Sequence, residues 1–266
     1  MFEKGISMKK LLASVLFVVL GSATGLAADL PMKAMPYGAP APVFSWAGCY
    51  IGVHAGAGVM RDSVGASMVA GNDYTGTGGL AGGQLGCNYQ DGNWVFGAEG
   101  EGYWSGMKAT DARSSSTFRD TDTDKNKYDF SIAARAGIAF DRTLVYGKAG
   151  WVWGKFDFLS TESDTCCGFN NAPFVSSTSA SGTLDGLLLG VGIEHALTNN
   201  WTVKLEYNFL KYGSKELSFT TCSNSNTPSV TCFADGTGTV HADKQIFKIG
   251  ANYLFNMTAA PLVARY

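Results

Sequence analysis

"NWVFGAEGEGYW", residues 93–104, sets Glu99 and Glu101 in a run otherwise made, after Asn93, of aromatic residues, Val, Ala and Gly. Trp94, Phe96, Ala98, Gly100 and Gly102 fall at even positions, and Glu99, Glu101 and Tyr103 at odd ones. A period of two belongs to a β-strand, whose successive side chains point to opposite faces. The stretch therefore has a carboxylate face and an aromatic face. A half-buried strand of a soluble sheet would show the same alternation, so the rest of the chain has to decide which face meets which solvent.

Seven further segments alternate in the same way. Trp46–Met60 opposes Ile51, Val53, Ala55 and Val59 to Tyr50 and His54, and Gly79–Tyr89 opposes Leu85, Cys87 and Tyr89 to Gln84 and Asn88. Asp129–Phe140 sets Phe130, Ile132 and Ile138 against Arg135, and Leu144–Gly154 sets Val145, Trp151 and Trp153 against Lys148. Gly186–His195 sets Leu187, Leu189, Val191 and Ile193 against Glu194, with Leu188 an exception on the polar side. Trp201–Phe209 opposes Val203, Leu205 and Tyr207 to Lys204 and Glu206, and Phe247–Phe255 opposes Ile249, Ala251 and Tyr253 to Lys248 and Asn252. The connections between segments alternate long and short: 61–78, 90–93, 105–127, 141–143, 155–183, 196–200 and 210–245. Asp91-Gly92 carries the strongest two-residue hairpin signal. Such a chain predicts an all-β, eight-stranded antiparallel up-and-down transmembrane β-barrel, with four long extracellular loops and three short periplasmic turns.

Charge placement separates this barrel from a soluble one. The polar faces carry Glu99, Glu101, Glu194 and Glu206 against Arg135, Lys148, Lys204 and Lys248, while the apolar faces carry no Asp, Glu, Lys or Arg. A soluble barrel has no need of balanced charge on its outer face. A lipid-facing wall does need to be free of it, because a Lys or Arg near the membrane midplane costs about 2–4 kcal/mol. The acids of the opening stretch are therefore expected to face a closed interior. Arg135 should lie beside Glu99 and Glu101, and the eight residues together should form an interior charge network. Aromatic residues near strand ends, including Trp46, Tyr89, Trp94, Trp104, Phe140, Trp153, Trp201 and Phe255, are expected as interfacial girdles.

The ends and the composition agree with export. From Met8 the chain reads "MKKLLASVLFVVLGSATGLAA", with two lysines, an apolar run over 11–20 and small residues at Ala27 and Ala28, the three parts of a secretory signal peptide. Residues 1–28 are expected to be removed, Met1–Ser7 being an upstream extension; 29–45 form a proline-rich periplasmic linker, 46–256 the barrel and 257–266 a tail. The cleaved segment takes three basic residues and one acidic residue with it, leaving a net charge near −4. That charge gives nucleic acid no reason to bind. Six cysteines suit an oxidising compartment. Cys222 and Cys232 bracket "SNSNTPSV", whose turn chemistry favours a disulfide. Cys49 and Cys87 share one parity on adjacent strands, so a cross-strand bond is open to them. Cys166-Cys167 reads as a pair of loop disulfide cysteines, since no second ligand pair at zinc spacing accompanies it.

Other candidate sites are weaker. "GTGGLAGG" (76–83) has a dinucleotide-type spacing, but it opens a strand where such a motif must open a helix. His54, His195 and His241 are scattered without a paired nucleophile, and His54 reads as a hydrogen-bonded interior residue. No catalytic residue, cofactor or metal is expected.

The segments "APAPVFSWAGCYIGVHAGAG", "GGLAGGQLGCNYQDGNWVFGAEGE", "ARAGIAFDRTLVYGKAGW", "GVGIEHALTNNWTVKLEY" and "FKIGANYLF" together resemble the small outer-membrane β-barrel proteins of alphaproteobacteria, the outer-membrane immunogenic or porin family, of OmpA-type architecture. The resemblance implies an envelope-structural, antigenic role without enzymatic activity. Its expected partners are outer-membrane lipid and host or environmental surface ligands met by the loops. The cysteine content and the tail beyond Phe255 depart from the family. Eight strands enclose an interior that side chains can fill. A structural protein whose polar lumen is plugged by side chains is therefore the first reading, and a small channel for water or ions the second.

Overall fold

The computed structural model describes residues 44–255 apart from 67–68, 115–117, 168–172 and 225–228; at strand ends beside those stretches only the backbone is described. The expected signal segment, most of the linker and the tail lie outside the described residues, as do the side chains of Cys166 and Cys167.

Among the described residues ten strands follow in order: β1 Gly48–Ala66, β2 Val69–Asp91, β3 Trp94–Ser105, β4 Lys108–Ser114, β5 Phe118–Phe140, β6 Thr143–Cys167, β7 Pro173–Ala196, β8 Trp201–Tyr212, β9 Lys215–Ser223 and β10 Thr231–Phe255. All pairings are antiparallel, and β1 pairs with both β2 and β10, so the sheet closes on itself. β3 and β4 occupy one position in the ring, between β2 and β5; β8 and β9 occupy another, between β7 and β10. The ring therefore has eight positions, two of them filled by broken strands.

The breaks have local causes. At Gly106-Met107 the chain leaves the ladder, with the Met107 amide donating to Ser105 Oγ at 3.2 Å, and β5 answers with an irregularity between Asn126 and Tyr128. One extra residue in a strand reverses which parity faces inward. Asn126 and Asp129 are accordingly both buried, while Lys127 and Tyr128 are both exposed.

Two sequence expectations are corrected here. The long connections are mostly strand: β1, β2, β5, β6, β7 and β10 continue through them as hairpins that prolong the barrel wall. Their "DTDTDKN" and "SSTSAS" composition hid this, because a strand that meets water on its outer side need not be apolar on either face. The first tight turn is Gly92-Asn93 rather than Asp91-Gly92, since Asp91 pairs with Trp94. Gly92 takes φ 58°, which glycine adopts without steric cost.

The outer wall between the two strand-end belts is apolar and exposed, with Ile51, Val53, Leu85, Ile132, Leu189, Val191, Leu205 and Ile249 all facing out. Trp104, at 76 % exposed, tops it, and Trp94, Phe140, Trp201 and Phe255 ring its lower edge. Trp46 does not join that ring. It is fully buried, with its amide bound to Gln90 Oε1 at 2.7 Å. Its even position gives it the inward parity of Tyr50 and His54, which its aromatic character had masked.

Candidate functional site: a charged belt inside the barrel

The lumen is layered. At the short-turn end Trp46, Tyr50, Val95, Leu144, Tyr146 and Leu254 form a buried apolar cluster. At the long-hairpin end Met60, Met107, Phe156, Phe158, Leu184, Leu188, Tyr212, Leu217 and Ile246 belong to a second, larger one. Leu188, the apparent exception to the alternation, is an interior residue of that upper layer. The polar residues are confined mainly to a middle belt, with apolar layers on both sides of it.

The belt brings the eight charged residues together. Glu99, Glu101, Arg135, Lys148, Glu194, Lys204, Glu206 and Lys248 are each at most 5 % exposed. Lys148 Nζ lies 3.0 Å from Glu99, 3.2 Å from Glu101 and 2.6 Å from Glu206. Lys248 Nζ bridges Glu101 at 2.5 Å and Glu206 at 2.9 Å, and Lys204 Nζ bridges Glu99 at 3.2 Å and Glu206 at 3.4 Å. Glu99, Glu101 and Glu206 place oxygens within 4.8 Å of one another, a spacing a divalent cation could accept. Three ammonium groups already neutralise those carboxylates, which removes the charge such an ion would need.

Arg135 sits between Glu194 and Glu99. Its Nη2 donates to Glu194 at 2.8 Å; Glu99 is 3.5 Å from Nη1, and Glu101 takes its cations from Lys148 and Lys248 instead. The guanidinium lies 4.1 Å from the Tyr146 ring centroid and 5.4 Å from that of Tyr50, within cation–π range of both. Tyr50 donates to Glu99 at 2.7 Å and Tyr146 to Glu206 at 2.8 Å. Each tyrosine lies over a glycine of the next strand: a Cβ at Gly86 would come within 2.5 Å of the Tyr50 hydroxyl, and one at Gly192 within 2.5 Å of Tyr146 Cζ. Glycine at these two places is what lets the rings lie flat against the wall.

Further polar residues complete the belt, among them Thr202, which was not singled out from sequence, and His54, Gln84 and Asn252, which stood on its polar faces. Glu194 also accepts from Thr202 at 2.5 Å and from Asn252 at 2.7 Å, and Asn208 donates to Glu206 at 2.8 Å. His54 hydrogen-bonds Gln84, which donates on to Asn252 at 2.6 Å. Above the belt Lys244 Nζ contacts both Asp129 oxygens at 2.8 and 2.9 Å, and Tyr212 donates to the same carboxylate. The polar parity of the last strand could have revealed Lys244, four residues before Lys248, but apolar Ile246 at the inward position between them ended the visible alternation.

Among the described residues, two disulfides join neighbouring strands. Cys222 and Cys232 are paired across β9 and β10, and Cys49 and Cys87, the less favoured candidates, across β1 and β2.

Residues 26–255 match the family model described as the outer membrane protein β-barrel domain. The chain belongs to that family. Two relatives, both from Brucella melitensis, carry names that place them in the same membrane. The 31 kDa outer-membrane immunogenic protein is 31 % identical over 78 % of this chain and 88 % of its own length. The 25 kDa outer-membrane immunogenic protein is 28 % identical over 88 % of this chain and 92 % of its own. Among solved structures, the outer membrane protein OprG of Pseudomonas aeruginosa is similar at 13 % identity and a TM-score of 0.45, over 79 % of this chain and 97 % of that one. As a member of the outer membrane protein β-barrel family, this protein resides in the outer membrane, with its apolar wall against lipid.

Proposed function

We propose that the protein is a sealed structural barrel that displays its hairpins at the cell surface, and that it neither conducts solutes nor catalyses a reaction. The observation that carries this reading is the ion-paired belt enclosed between two apolar layers. A water-filled pore needs a continuous polar path, and here Trp46, Leu144 and Leu254 stand below the charges and Phe156, Leu184 and Ile246 above them. Interior charges that neutralise one another also leave no one-signed ring to select ions. The surface role rests on the extended hairpins, whose outward faces carry hydroxyl and charged groups such as Thr123, Lys125, Asp157, Ser179 and Thr220. Such a surface suits polar ligands of a host or of the surroundings.

The test is electrical. Purified protein inserted into planar bilayers is expected to give no discrete conductance steps at moderate voltage, although protease protection shows it inserted. Regular unitary steps that scale with salt would replace the sealed barrel by the small channel.

A further inference from the structure

The outer wall carries a cationic cluster directly above a glycine-floored groove. Lys108 on β4 and Lys125 on β5 are exposed and stand directly opposite each other in the ladder. Like charges so placed repel. Asp157 stands on the far side of Lys125, but its carboxylate binds Lys127 at 2.5 Å. The cluster therefore keeps an excess of positive charge at the height where the apolar wall ends.

Immediately below, β3, which precedes β4 in the same ring position, and β5 present Trp104 and Tyr128, then Gly102 beside Phe130, then Gly100 beside Ile132. A groove of about 910 Å³ runs down this wall, lined by Ile51, Leu85, Gly100, Gly102, Trp104 and Phe130. Its floor is open: a Cβ at Gly100 would meet nothing within 4 Å, and one at Gly102 only the Phe130 ring edge at 3.7 Å among side-chain atoms. Neither glycine is required by packing inside the barrel, so what they provide is a depression on the lipid side. Cations above aromatic rings above an apolar channel match, in order, the phosphate, the interfacial region and the acyl chain of an anionic lipid.

We propose that this wall holds one phosphorylated glycolipid of the outer leaflet, with a phosphate between Lys108 and Lys125 and an acyl chain over Gly102 and Gly100. The hairpins beside the cluster lie on the extracellular side, which fixes the leaflet, and their hydroxyl groups face the sugar region. The charge pair selects the headgroup, and the groove adds contact with one chain. The site lies outside the lumen and is independent of whether the barrel conducts.

The experiment is native mass spectrometry of the delipidated full barrel in mild detergent, titrated with a diphosphorylated acyl-glucosamine disaccharide, its dephosphorylated form and inorganic phosphate. The expected result is one tightly retained diphosphorylated lipid, with the dephosphorylated form bound about tenfold or more weakly. Lys108→Gln with Lys125→Gln should weaken retention by a similar factor. Gly100→Leu, which fills the groove without touching the charges, should weaken it severalfold, and heat-modifiable migration would show that each variant is folded. Equal retention of both lipids, or no effect of either variant, would overturn the proposal. So would displacement of the lipid by millimolar phosphate alone, which would mean a free-anion site. Self-association of the wild type that Gly100→Leu abolishes would assign the groove to a second copy of the chain instead.

Discussion

Arg135→Ala is expected to destabilise the folded barrel by about 3–5 kcal/mol, and adding Glu194→Gln is expected to restore more of the loss than adding Glu99→Gln. The asymmetry follows from the geometry of the belt. Glu99 keeps Lys148 at 3.0 Å and Lys204 at 3.2 Å when the guanidinium is removed. Glu194 has Arg135 as its ion-pair partner at 2.8 Å, with Thr202 and Asn252 supplying hydrogen bonds but no charge. Removing Arg135 therefore orphans Glu194 in a buried place, and the neutral amide removes the orphaned charge. The magnitude is far above the 0–1 kcal/mol or so of an exposed pair, because neither partner can turn to bulk water. Urea titrations of the single and double variants in lipid vesicles measure the cycle. Equal rescue by the two glutamine changes, or a near-neutral single variant, would mean that the belt is wet or differently paired.

Lys244→Met should cost a comparable amount, about 3–5 kcal/mol, for a different reason. Asp129 sits at the edge of the upper apolar layer, where Lys244 is the cation on its carboxylate and Tyr212 and Asn126 supply hydrogen bonds. With methionine in place of the lysine, the carboxylate loses its counter-ion but keeps its burial. Combining Lys244→Met with Asp129→Leu in one chain should return stability to within about 1–2 kcal/mol of the wild type or raise it, since a buried pair often repays little more than its own desolvation. Equilibrium unfolding of the two single variants and the double variant under one set of lipid conditions decides it. A double variant less stable than the lysine variant alone would contradict the apolar surroundings assigned to this pair.

The lipid-facing wall was legible in the sequence because lipid tolerates no charge there. Every segment between the aromatic belts had to alternate, and Glu99, Lys148, Lys204 and Lys248 announced the inner face by parity alone. The hairpins were not legible, because in water a strand can be polar on both sides. The break at Gly213 and the irregularity near Lys127 were hidden for a related reason: buried Leu210 and Tyr212 give way to buried Leu217 and Thr221, and buried Asp124 and Asn126 to Asp129 and Ser131, so each reverses parity, and a reversal looks like the end of a strand. The individual ion pairs were beyond reach as well. Parity places a residue on the inner wall but not at a height or beside a partner across the lumen, so Glu194 could not be matched to Arg135, and Leu188 of the upper apolar layer stood as an exception to the alternation. Trp46 shows the limit of a compositional rule, since its position pointed inward while its type suggested a girdle.

The charged belt is expected to be shut off from water by the apolar layers on both sides. Selective ¹⁵N labelling of lysine, with the folded barrel in lipid nanodiscs, measures this through exchange of the side-chain ammonium protons with solvent. Lys148, Lys204, Lys244 and Lys248 are expected to give observable, slowly exchanging ammonium signals, each lost when that lysine is replaced, while exposed Lys108, Lys125 and Lys211 exchange too fast to be seen. Exchange of the four buried lysines at the rate of the exposed ones would contradict the account, because the lumen would then hold a continuous column of water.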